Sequence, residues 1–209
     1  LAQQAYAENT GARGLVSAVE KALLEFEKKL PSTDINKFPA TAAIIDQPQT
    51  SVNALIAVSE KQKTDELFLR LMHEEKKSIK DYLKENKTNL ANKYSLTMTP
   101  SRIDIVATCY AKNTLDIDKV IRKIKFYYDE IKKIELYFFK NHDINIVLEE
   151  DAIDFIIEQL IESSIELKIV YEKINQDLQH GLKLARDKTG RNRFFINRHA
   201  LLDSEAFIA

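Results

Sequence analysis

Along most of this chain apolar residues recur at the three- and four-residue steps of an amphipathic helix. Leu15, Val19, Leu23, Phe26 and Leu30 predict one such helix, with Pro31 and Ser32 closing it. Residues 38–45 (FPATAAII) then suit an extended strand, bounded by Pro39 and Pro48. Phe68, Met72, Ile79, Tyr82 and Leu83 predict a helix over about residues 65–86. Thr99 followed by Pro100 reads as an N-cap with proline at the first helical position, opening a helix through Ile103, Val106 and Tyr110. Ile117, Ile121, Ile124, Tyr128, Ile131, Ile134 and Phe138 form one continuous stripe, so a long helix follows. The pattern switches to alternation at Ile144, Ile146 and Leu148, a short strand. Glu149, Glu150 and Asp151 open the next helix, apolar at Ile153, Phe155, Ile156, Ile157, Leu160 and Ile161 and wide enough to be largely buried. Leu167, Val170, Ile174, Leu178 and Leu182 fall at nearly heptad spacing, as in an antiparallel helix pair or coiled-coil seam. Residues 193–197 (RFFIN) suit a strand, and a last turn lies within 200–207.

The expected class is mainly α with minor β (α+β). Proline and glycine refine its organisation. Pro31, Pro39, Pro48, Gly11 and Gly14 all fall in the first 48 residues, whereas only Pro100, Gly181 and Gly190 interrupt the rest. That shift places a boundary near residues 47–51, between a small mixed unit (1–50) and a helical, bundle-like extension (51–209). The chain begins at Leu1, without methionine and inside helical pattern, which reads as a piece of a longer protein.

Composition narrows the functional classes. A formal charge of −1 offers no bulk field toward nucleic acid or membrane surfaces. Four glycines cannot supply a dinucleotide fingerprint or a phosphate-cradling loop at the required spacing. The single Cys109 excludes an internal disulfide framework and fits a reducing, cytoplasmic compartment. Apolar runs such as residues 136–139 are far too short to span a membrane, and no secretory leader is visible. His73, His142, His180 and His199 show no zinc-ligand spacing, so no metal site is expected. Cys109 reads as a buried small hydrophobe. Glu149, Glu150, Asp151 and Asp154 read as acids favoured by a helix dipole, more than as ligands for a divalent ion. Arg186, Lys188, Arg191, Arg193 and Arg198, interleaved with Phe194 and Phe195, form a basic cluster. A solvated loop is its expected reading, with nucleic acid or an acidic neighbouring subunit as the alternatives.

One segment carries a sharper signal: Glu8-Asn9-Thr10-Gly11-Ala12-Arg13-Gly14-Leu15. Thr10 can cap the following helix, and Gly11 and Gly14 permit close backbone approach. Arg13 falls in the first turn, where orphan N–H groups and the positive dipole end already favour an anion. A guanidinium there is unfavourable for an isolated helix but sensible if a phosphate meets both. The plain alternative is a capped helix with a solvated arginine, and the segment alone leaves both open.

Residues 7–15, followed by Val19-Glu20-Lys21-Ala22-Leu23-Leu24 and Leu30-Pro31-Ser32, resemble the C-terminal small (lid) domain of ClpX-type AAA+ protein unfoldases. The resemblance covers roughly residues 1–49. It implies that Gly-Ala-Arg-Gly-Leu opens the sensor-2 helix, that a strand follows, supplied by residues 40–45, and that Arg13 reads the phosphates of a bound nucleotide. Thr10, Gly11, Ala12 and Gly14 would shape the helix start. It further implies ATP or ADP with Mg, held mainly by residues outside this chain, and a subunit of a homo-hexameric ring that unfolds substrate proteins, often for a partner peptidase. No catalytic residue falls within these 209 positions, so the chain alone is expected to be inactive. Residues 144–161 resemble the strand and helix that precede the sensor-2 motif, and residues 185–190 the approach to it, so residues 144–209 read as a degenerate second lid half. The Gly-Ala-Arg-Gly core is not reproduced there. A reading from another class treats residues 51–209, with 26 basic and 26 acidic residues, as a non-enzymatic interaction or assembly module.

Overall fold

The computed structural model describes the chain except residues 8–10, 58–60, 114–115, 164, 205–206 and 208–209. It is mainly α-helical with one two-stranded sheet among the described residues. It divides into two compact units, Leu1–Glu75 and Lys76–Ala209. The first unit therefore runs on past residues 47–51. No helix among the described residues is long and apolar enough to cross a membrane.

In the first unit a short α1 (Ala2–Ala7) packs on α2 (Ala12–Lys29), and a 3-10 turn at Leu30–Ser32 ends α2 at the expected Pro31. The buried line of α2 is Gly14, Ala18, Ala22 and Phe26, at steps of four. The expected stripe is corrected here, because Leu15 and Val19 remain 46% and 37% exposed. Small residues let neighbouring backbones come close, and the helix turns that line inward. The expected strand over residues 38–45 is also corrected. Residues 33–41 are irregular, and α3 (Ala42–Asp46) is helical. Ala42 and Ala43 are strong helix formers, and no strand stands among the described residues of this unit to pair with the β-branched Ile44 and Ile45. Pro48 opens α4 (Pro48–Ile56) at its first position, where a missing N–H costs nothing. Phe26, Ile44, Val52 and Leu55 form the unit's small core, flanked by Phe38 stacked on Phe26 at 4.9 Å between ring centres.

The second unit begins within α5 (Lys61–Glu85) and continues through α6 (Lys87–Tyr94), α7 (Pro100–Asn113) and α8 (Ile117–His142). Then come β1 (Asn145–Leu148), α9 (Glu150–Glu162), α10 (Leu167–Thr189), β2 (Arg193–Ile196) and α11 (Arg198–Leu202). The α8 stripe is buried as its spacing predicts, at Ile121, Ile124, Ile131, Ile134 and Phe138. Both expected strands form. They pair in parallel with Asn145 opposite Arg193 and Leu148 opposite Ile196, so α9 and α10 make the crossover between them. Ile153, Ile157, Leu178 and Ile196 join α8 in one continuous core.

Two backbone positions set the ends of long helices. α8 stops at Asp143 and α10 at Gly190, both left-handed, with φ of 54° and 68°. Arg186 Nη1 donates to the carbonyls of His142 and Asp143 at 3.3 and 3.2 Å. A cation thereby meets the negative end of α8 and ties α10 to the turn that launches β1.

Candidate functional site

The start of α2 is built around Gly11, which occupies the N-cap with φ 61° and ψ −136°. That conformation is essentially open to glycine alone. Among the described residues nothing lies within 4 Å of the position a Cβ would take, so the backbone angle by itself requires glycine here. Gly14 N–H donates to the Gly11 carbonyl at 3.0 Å, closing the first turn. The cap expected of Thr10 falls outside the described residues, and the N-cap position itself belongs to Gly11, with no side-chain cap bond. Ala12 is the first helical residue and Gly14 is buried, while Arg13 between them is exposed. No acidic side chain stands in the first turn. The positive end of α2 therefore carries a cation on a helix start whose leading N–H groups have no intrahelical acceptor. Chemically, this geometry suits an anion that the helix end and the guanidinium meet together.

Several of the other sequence candidates have structural partners. Cys109 is buried, and burial pushes its thiol pKa up, away from nucleophilic character. Asp151 accepts from the N–H of Ala152 at 2.8 Å and of Arg198 at 3.1 Å, joining α9 to α11. His142 Nε2 lies 2.9 Å from Asn175 Oδ1. The basic cluster is solvated at Lys188, Arg191, Arg193 and Arg198 but is not one loop, since only Arg191 lies in the connection between α10 and β2. Arg186 and Lys188 belong to α10 and Arg193 to β2, while Arg198 opens α11 with its guanidinium over the Phe155 ring.

A further polar centre escaped the sequence reading. Arg102 and Asp154 are 0% and 2% exposed. Arg102 Nε and Nη2 reach the same Asp154 oxygen at 2.8 and 2.6 Å, and Nη2 also donates to Glu150 at 2.8 Å. Nη1 donates to the Thr97 carbonyl, and the guanidinium lies over the Tyr128 ring, 5.0 Å from its centre. Thr99 accepts from Arg102 N–H at 3.0 Å as the N-cap of α7 and donates its own proton to Asp154 at 2.6 Å. Burial is the largest influence on Asp154 and raises its pKa, against the Thr99 hydroxyl and the Arg102 guanidinium, which favour the carboxylate. With all three guanidinium nitrogens bonded and Tyr128 over one face, this centre is a tie between α7, α8 and α9 rather than a place for a ligand. One sequence signal pointed toward it: Asp154 interrupts an otherwise apolar run from Ile153 to Ile157 in a helix already read as largely buried.

No family model, no curated protein and no solved structure matches this chain.

Proposed function

We propose that the first unit is the sensor-2 lid segment of an ATP-dependent, ClpX-type AAA+ unfoldase subunit, in which Arg13 senses the phosphates of bound ATP or ADP. The observation that carries this reading is the start of α2. A glycine-only N-cap, a buried Gly14 and an exposed Arg13 stand together in a first turn free of acids. The closing turn at Leu30–Ser32 supports it as well. The helical α3 departs from the strand that the resemblance implies, so the proposal rests on α2 and not on the segment after it. In this reading the nucleotide and its Mg sit mainly on residues outside the chain, and Arg13 adds one charge-assisted contact. Losing the terminal phosphate weakens that contact and releases the lid to turn as a rigid body, which carries the change to the next subunit of the ring. Protein substrates, and a peptidase partner where one exists, act beyond these residues.

The test is nucleotide hydrolysis by the longer protein that bears the ATP site. Arg13→Ala is expected to lower the rate by about ten-fold or more, the scale of one lost transition-state contact, with an unchanged circular dichroism spectrum. An unchanged rate removes Arg13 from the mechanism. The 209-residue chain by itself is expected to hydrolyse nothing, and turnover by it contradicts the assignment.

A further inference from the structure

The sheet of the second unit has an open edge. In the parallel ladder Asn145 N–H donates to the Asn192 carbonyl and Glu149 N–H to the Ile196 carbonyl. With that register, residues 145, 147 and 149 face β2, so Ile146 and Leu148 turn their N–H and C=O groups to the opposite side. Leu148 N–H is already satisfied by the Glu135 carboxylate of α8 at 2.8 Å. Ile146 is different: among the described residues no hydrogen bond outside the ladder ends on its backbone. Its edge lies in a groove of about 480 Å³ with α8 as one wall. On that wall Leu136 and Phe139 are 52% and 46% exposed, so the groove offers apolar as well as charged surface. The charged residues lining the groove are Lys132, Glu135 and Arg193, two cations and one anion, so it is net positive. Lys132 already pairs with Glu135, whereas Arg193, its guanidinium over the Phe195 ring, has no carboxylate partner among the described residues.

We infer that this groove binds a short extended peptide segment of a partner protein, acidic and apolar in alternation, which adds to the β1 edge as a third strand. Each feature fixes one property of the occupant. The N–H and C=O of Ile146, without a partner outside the ladder among the described residues, suit an extended backbone, which offers an acceptor and a donor in strand register. Glu135, by closing the Leu148 end, keeps the added strand short. Leu136, Phe139 and Arg193 line the same groove, so apolar side chains of the occupant suit the first two and acidic ones suit the third, and an extended segment presents the two kinds in alternation. The inference does not depend on the reading of Arg13, which lies in the other unit.

The experiment titrates the full chain into a fluorescein-labelled six-residue peptide of alternating aspartate and valine and follows anisotropy. Two companion peptides carry lysine for aspartate, or N-methyl groups on alternate backbone amides. Saturable binding of the first peptide is expected, with both companions at least about ten-fold weaker. Arg193→Glu and Leu136→Glu, both at exposed positions, should each weaken the first peptide by a similar factor while leaving the circular dichroism spectrum unchanged. Amide exchange at Ile146 should slow in the complex, with little change at Leu148. Absence of binding at millimolar protein overturns the proposal. So does equal affinity for the N-methylated peptide, which would mean side-chain docking without strand addition. Concentration-dependent slowing of Ile146 exchange without peptide overturns it too, assigning the edge to a second copy of the chain.

Discussion

Arg102 links three helices of the second unit through one buried side chain. Its guanidinium is held by two carboxylates, a carbonyl and an aromatic face. Removing one member of a buried pair strands the other charge, so Arg102→Met is expected to lower unfolding free energy by about 3–5 kcal/mol in urea titrations. Adding Asp154→Leu should restore part of that loss, because the orphaned carboxylate is then gone. A single variant that costs less than the double variant would show that Asp154 does not depend on Arg102. Cys109 offers a second check at this scale. Its thiol pKa is raised by burial, so the thiolate is scarce in the folded state. Its contribution to stability is whole below the unfolded thiol pKa and lost as pH rises through the higher folded one. Iodoacetamide at pH 8 should therefore modify the native chain far more slowly than the chain in denaturant, as mass spectrometry would read. The burial of Cys109 was legible from its apolar surroundings. Arg102 was not, because an arginine in the first turn of a helix looks like a surface residue until the partner more than fifty positions away is in place.

The elements divide by how much of their shape the local pattern controls. α8, β1, α9 and β2 stand where the sequence put them: α8 and β1 each turn an apolar side to the core, and α9 is apolar widely enough to be largely buried. Residues 42–46 went the other way, because a strand needs a neighbour that local sequence does not contain. α2 formed where expected but rotated its buried line onto Gly14, Ala18 and Ala22, a choice set by how closely backbones can approach rather than by summed hydrophobicity. Its N-cap gives a prediction at this scale. Gly11→Ala should cost about 1–3 kcal/mol in thermal unfolding of the first unit, and Gly11→Asn as much, because ψ of −136° lies outside the left-handed helical region that asparagine tolerates. At Gly190, with φ 68° and ψ 2°, asparagine should recover most of what alanine loses. Equal behaviour at the two sites would show that their backbones do not differ in this way.

At the scale of the molecule the two units have very unequal interiors. Among the described residues the main cluster of the first is Phe26, Ile44, Val52 and Leu55, with small buried alanines on α1 and α2, whereas the second has a continuous core running from Leu83 to Ala200. Local stability follows buried apolar contact, so amide exchange should be faster through α2 and α4 than through α8 and α9. Phe26→Ala should abolish the protection of α2 while leaving that of α8 unchanged. Loss of protection in both would mean that the units unfold as one. The class, mainly helical with a little strand, was legible in the sequence. The inequality of the two interiors was not, because it depends on which apolar faces find each other.

The parallel pairing of β1 with β2 also sets an order of events. A hairpin strand meets its partner a few residues after it is made, but β1 must wait until α9, α10 and β2 have all left the ribosome. Throughout that interval both of its edges lack a strand, and only the side against α8 can be shielded early. The Glu135 carboxylate on Leu148 N–H comes from a residue synthesised before β1. Glu135 is thus in place to occupy part of that edge before the crossover is complete, which is where a gatekeeping charge is of use against pairing with other nascent strands.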